Sequence, residues 1–145
     1  MQVNSYTIRK EITEIWPNLE YIWLWDNVFW KPKFEEIRNA LENSKIPQMN
    51  FINLFWDCDN FALQFLAEYR LNKYLEWERG ELPEEEKFPT AIGFIFGNLF
   101  RGRPILHAAN IALCQEGIYI IDSTPAENRI WKADKKNDNL LFVFM

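Results

Sequence analysis

The spacing of apolar residues changes character once along the chain, near Pro89. Before it the period is helical. Ile8, Ile12 and Ile15 recur at intervals of three and four and stop before Pro17, which cannot continue a helical hydrogen-bond ladder. Asn18 to Trp30 is crowded with aromatics (Tyr21, Trp23, Trp25, Phe29, Trp30) and reads as irregular or as one short helix. Pro32 then opens a stripe of Phe34, Ile37 and Leu41, with Ala40 beside it. That stripe predicts a helix from about Lys33 to Asn43, ended by Asn43-Ser44 before Pro47. A third and longest helix is predicted to start around Asp57 to Asp59 and to run to about Trp77. Its buried face carries Phe61, Phe65, Leu66, Tyr69, Tyr74 and Leu75.

From Thr90 onward the period drops toward two. Ala91 to Phe100, Ile105 to Cys114, Gly117 to Asp122, Asn128 to Lys132 and Leu140 to Phe144 all predict strands. Gln115-Glu116 before Gly117 predicts a tight turn between two of them. Gly80 to Pro89, with Glu81, Glu84, Glu85 and Glu86, reads as an exposed acidic connection. Helices first and antiparallel strands afterwards predict an α+β chain. At 145 residues it is the size of one domain, with a helical part over about 1–80 and a sheet over about 90–145.

Composition narrows the function. Apolar residues make up 48% of the chain and aromatics 17%, which predicts a packed core rather than disorder. A net charge of −5 provides no electrostatic footprint for nucleic acid or an anionic membrane. Met1 to Tyr6 shows no basic patch followed by an apolar core, and the apolar stretches are too short to span a bilayer; a soluble, cytoplasmic chain is expected. Two cysteines and one histidine are too few for a structural zinc site, and in a reducing compartment both cysteines stay thiols. No metal and no cofactor are expected.

Three residues carry candidate chemistry. Cys58 falls at the predicted start of the long helix, where the helix dipole favours a thiolate and free backbone N–H groups can face an oxyanion. Its neighbours Asp57 and Asp59 oppose a thiolate unless one of them caps the helix instead. His107 is the sole histidine and lies in a run of small residues, Leu106-His107-Ala108-Ala109-Asn110, that lets another element approach closely. A lone histidine is usually a hydrogen-bonded structural residue; the partner at a helix start is what gives this one a chemical reading. Asp122 ends a strand. With a two-residue turn at Gln115-Glu116, Ala109 lies opposite Asp122 and His107 becomes its diagonal neighbour; a three-residue turn would shift the register and turn Asp122 away. Cys114 is an odd number of residues from His107 and so belongs to the other face, as a core residue.

Phe55-Trp56-Asp57-Cys58-Asp59-Asn60-Phe61-Ala62-Leu63, His107-Ala108-Ala109-Asn110-Ile111-Ala112 and Gly117-Ile118-Tyr119-Ile120-Ile121-Asp122 together resemble the papain-fold cysteine protease-like domain at the C-terminus of the Marasmius mushroom agglutinin. They also resemble small bacterial and phage proteins related to it. The likeness covers roughly residues 23 to 132, with Cys, His and acid in the same order. It implies a papain-like fold, with Cys58 as nucleophile, His107 as base and Asp122 as the orienting acid. Two positions depart from the pattern: Leu106 stands where a glycine is expected before the histidine, and Asp122 where Glu is common. Asn53 is the available candidate for an oxyanion amide, and no calcium ligand set is carried over.

The expected function is a cysteine peptidase or amidase acting on a peptide or protein substrate through a thioester, with transglutaminase-like acyl transfer using the same three residues. The alternative is a catalytically silent module of the same fold that binds a partner through its aromatic stretch from Tyr21 to Trp30. Those aromatics are expected to be core rather than interface, because a chain of this size needs them for packing.

Overall fold

The computed structural model describes residues 1–125 and 129–145, and its three α-helices are α1 (Ser5–Ile15), α2 (Phe34–Asn43) and α3 (Cys58–Glu78). The strands are β1 (Gln2–Asn4), β2 (Tyr21–Trp23), β3 (Val28–Trp30), β4 (Ile92–Phe100), β5 (Arg103–Cys114), β6 (Gly117–Ile121), β7 (Ile130–Lys132) and β8 (Asn139–Phe144). The helices begin where the sequence signals them. Asn4 caps α1, its side-chain oxygen accepting from the Thr7 N–H at 2.8 Å, and Ile8 and Ile12 are fully buried. The helix ends at Trp16, before the proline, and the Trp16 indole donates to the Asp138 carbonyl at 2.9 Å. In α2, Glu36 reaches back to accept from the Lys33 N–H at 2.8 Å, while Ile37 and Leu41 face inward.

Six strands form one sheet in the order β2-β8-β4-β5-β6-β7, and β1 pairs with β3 apart from it. Every pairing in the large sheet is antiparallel except that of β2 with β8, which is parallel. The chain is thus α+β, but the sheet is mixed rather than purely antiparallel. The parallel strand comes from the aromatic stretch expected to be irregular or helical. Ile22 is buried between exposed Tyr21 and Trp23, a two-residue period too short to read without its partner strand. The strand predicted from Asn128 is seen as β7; Asn128 itself lies outside the described residues.

Residue parity along β5 puts a core on each side of the sheet. Ala109, Ile111 and Leu113 pack with Ile8 and Ile12 of α1, and with Phe29, Ile95 and Val143. Ala112 and Cys114 pack with Ile37 and Leu41 of α2, and with Phe61 and Phe65 of α3. Burying either phenylalanine fully stabilises the fold by roughly 1.5–3 kcal/mol. The buried stripe of α3 ends at Tyr69. Tyr74, predicted to continue it, is 52% exposed, because the last turns of α3 line open cavities instead of meeting the sheet. Among the described residues, no helix is long and apolar enough to cross a membrane, and both cysteines are free.

Candidate functional site

Cys58 is the first residue of α3, and Asp57 is its N-cap. Asn60 accepts from the Asp57 N–H at 3.3 Å, which fixes the turn into the helix. The capping role expected of an acidic neighbour therefore falls to Asp57. A hydrogen bond shared with Asp59 holds the Asp57 carboxyl above its usual range.

His107 sits on β5 across from Gly97 of β4, next to a register irregularity between Gly97 and Leu99. A side chain at Gly97 would come within 2.6 Å of the Asn139 carbonyl and 2.7 Å of the Phe100 ring. Its absence lets Phe100 set its edge against the His107 imidazole, with ring centroids 5.5 Å apart at 86°. The resemblance expects a glycine directly before the histidine. Here Leu106 is turned outward, 65% exposed, and the room is made on the neighbouring strand.

The β5–β6 hairpin settles the position of Asp122. Cys114 pairs with Gly117, so the turn is the two residues Gln115-Glu116, and the register runs on to Asn110 opposite Ile121. Asp122 thus comes level with Ala109 and diagonal to His107, and its Oδ2 lies 3.0 Å from His107 Nε2. The two side chains are 14% and 17% exposed, so water screens the pair little. The other oxygen, Oδ1, accepts from the Thr124 N–H at 3.0 Å and from its hydroxyl at 2.5 Å. With Nε2 occupied, Nδ1 is the nitrogen left to face Cys58, whose thiol is close enough for the imidazole to act on its ionisation.

The three groups tune one another. Interaction with His107 lowers the Cys58 pKa, helped by the Ala108 backbone, and outweighs burial and the charge of Asp57. Burial by itself would lower the His107 pKa, but hydrogen bonds and charge from Asp122 and Cys58 reverse this and raise it to about 9. Burial opposes the ionised form of Asp122, and His107 and Thr124 overcome it to hold the carboxyl below its ordinary value. The imidazole is therefore charged at neutral pH beside a thiol that ionises more readily than usual. Cys114 is the opposite case: fully buried near Glu116, its pKa is pushed up to about 12.

Two residues that sequence reasoning passed over hold the cluster in place. Asn110, fully buried in β5, donates to the Ala62 carbonyl of α3 at 2.9 Å and to the Gly93 carbonyl at 3.2 Å. It ties the helix that carries Cys58 to the strand that carries His107; a lone amide in an apolar strand was the available signal. Thr124 anchors Asp122, and Asp-Ser-Thr after a strand was a turn signal of the same kind. Asn53, the oxyanion candidate, is exposed in the loop before α3. Two cavities, of about 410 and 280 Å³, lie along α3, and neither is lined by Cys58, His107 or Asp122.

No family model matches the sequence, and no curated protein matches it. Solved structures do. A chain described as the PSL1a–E64 complex superimposes with a TM-score of 0.73 at 15% identity, over 99% of this chain and 51% of that one. The Polyporus squamosus lectin, described as bound to the human-type influenza-binding epitope Neu5Aca2-6Galb1-4GlcNAc, gives a TM-score of 0.70 at 15% identity, over 99% of this chain and 49% of that one. The chain therefore has a fold shared with a mushroom lectin, and it spans about half the length of these structures.

That comparison corrects the expectation of a cysteine peptidase or amidase with a peptide substrate. A lectin, not a protease, is named among the structures that share the fold, and the binding-module alternative stands closer to it. There is a physical reason for the difference: Cys58, His107 and Asp122 specify a polarised thiol, and a polarised thiol does not by itself specify a substrate or turnover.

Proposed function

We propose that residues 1–145 act as one non-catalytic binding module with glycans as its ligand class. The observation that carries this reading is the display of aromatic rings along the edge strand β2 and just after it. Tyr21, Trp23 and Trp25 are 65%, 61% and 67% exposed, where packing demand would have buried them. Trp23 and Trp25 are stacked, with centroids 6.3 Å apart, and Trp25 meets the edge of Phe144 at 5.7 Å. Large rings held rigidly in solvent mark a contact surface, and their flat apolar faces suit the C–H faces of sugar rings. The lectin described with a bound sialylated epitope supports the fold as a ligand carrier. In this reading the arrangement is papain-like, with Cys58 opening α3 and His107 on β5. Cys58, His107 and Asp122 serve as a polar cluster locking α3 to the β5–β6 hairpin.

A glycan array probed with the labelled chain tests the proposal. Retention of defined glycans, lost in a Trp23→Ala/Trp25→Ala variant and kept in Cys58→Ala, is the expected result. No retained glycan, or retention that depends on Cys58, would overturn it.

A further inference from the structure

We infer that the cleft between α2 and the C-terminal half of α3 is a second binding site, for a neutral, hydroxyl-rich ligand of saccharide type. The inference adds a site to the proposed glycan-binding reading but does not use the β2 edge on which that reading stands.

The cleft encloses about 410 Å³, within the range of small-molecule sites. Its lining is unusually rich in planar polar groups. Asn39 and Asn43 of α2 and Asn72 of α3 line it, and among the described residues none of these amides hydrogen-bonds to protein. Each offers two donors and an acceptor, the combination that matches neighbouring hydroxyls, which both donate and accept. The charged groups argue against an anion. Glu36, Glu68 and Glu76 outnumber Lys73 and Arg79, and both cations are already engaged: Lys73 with Glu76 at 2.9 Å, Arg79 with Glu81 at 2.8 Å. A phosphate or carboxylate would enter a field of the wrong sign.

The cleft also continues into an aromatic surface. Lys73 is shared with the adjoining cavity of about 280 Å³, walled by Tyr74, Trp77, Leu82 and Phe88. Tyr74 and Trp77 are 52% and 46% exposed, with ring centroids 5.6 Å apart. These are the turns of α3 that leave the sheet and that periodicity had assigned to the core. One sugar unit held by the amides, with the next stacked on Trp77, uses both cavities.

Titration of the ¹⁵N-labelled chain with glucose, galactose, N-acetylglucosamine and chitotriose, followed by side-chain amide and indole resonances, tests the inference. Inorganic phosphate serves as the anionic control. At least one neutral sugar is expected to shift the Asn39, Asn43 and Asn72 amides and the Trp77 indole. Asn72→Ala and Trp77→Ala, both at exposed positions, are each expected to weaken it roughly tenfold. Sugar-induced shifts confined to Trp23 and Trp25 would overturn this inference while leaving the proposed function standing. No shift at either place would remove both. Phosphate competing at the same amides would overturn the assignment to a neutral ligand.

Discussion

His107 Nε2 and Asp122 Oδ2 stand 3.0 Å apart, although fifteen residues separate them, because a two-residue turn places Asp122 diagonally across the β5–β6 hairpin. The contact is nearly buried and is fixed at its far end by Thr124, so it behaves as a rigid pair rather than a surface ion pair. Its consequences can be measured without assuming any turnover.

The first consequence is thiol chemistry. Cys58 is expected to react with iodoacetamide with a pH midpoint below 9, and Cys114, buried with a pKa near 12, to stay unlabelled until the chain unfolds. His107→Ala removes the largest lowering influence. The midpoint should then rise, and labelling at neutral pH should slow by roughly three- to tenfold. Peptide mapping by mass spectrometry separates the two cysteines. Equal labelling of both in the folded chain would contradict the described environments.

The second is the pH dependence of stability. A His107 pKa raised from 6.5 to about 9 stabilises the fold fully below about pH 6.5, and the contribution fades as pH climbs through 9. The lowered Asp122 pKa stabilises above about pH 3.8 and fades as pH falls through its folded value. Asp122→Asn should therefore cost most between those limits, about 1–3 kcal/mol near pH 5.5, and progressively less toward pH 10. Urea unfolding at pH 5.5 and 9.5 measures the difference. A cost that grows with pH would contradict the pairing.

The third concerns Gly97. An alanine there must displace the Asn139 carbonyl at 2.6 Å or the Phe100 ring at 2.7 Å. Calorimetry should show a loss of about 1–3 kcal/mol. Because Phe100 rests against His107, the imidazole titration should shift as well. A neutral substitution with an unchanged His107 titration would remove the role given to this close approach.

The fourth concerns Asn110. Asn110→Ala leaves the Ala62 and Gly93 carbonyls without their buried donor, at a cost of about 1–3 kcal/mol. Since this amide joins α3 to β5, the variant should also slow Cys58 alkylation by loosening its contact with His107. Alanine at exposed Asn72, ten residues farther along α3 than Ala62, provides the control.

Much of the scaffold was legible in residue order because it is locally encoded. Asp57 caps a helix, Pro17 stops one, and the period of two after Thr90 marks β4, β5, β6 and β8. The pairing of His107 with Asp122 was legible too, since a hairpin register depends only on its own turn. Placement of Cys114 on the other face followed from parity alone.

What residue order did not contain is which surfaces end up covered. Tyr21, Trp23 and Trp25 carry the composition of a core, yet they lie outside because β2, which leads into Trp25, joins β8 as the parallel edge strand of the sheet. Tyr74 keeps a helical period with Phe61, Phe65 and Tyr69, yet α3 has left the sheet by that turn. Asn110 looked like an interruption of a strand until α3 brought a carbonyl within 2.9 Å. Periodicity records which side chains share a face; only the packing of distant segments decides whether that face meets protein or water. Cys58, His107 and Asp122 could therefore be named as a cluster from the sequence, while the place of the two cavities along α3, away from that cluster, belonged to the tertiary structure.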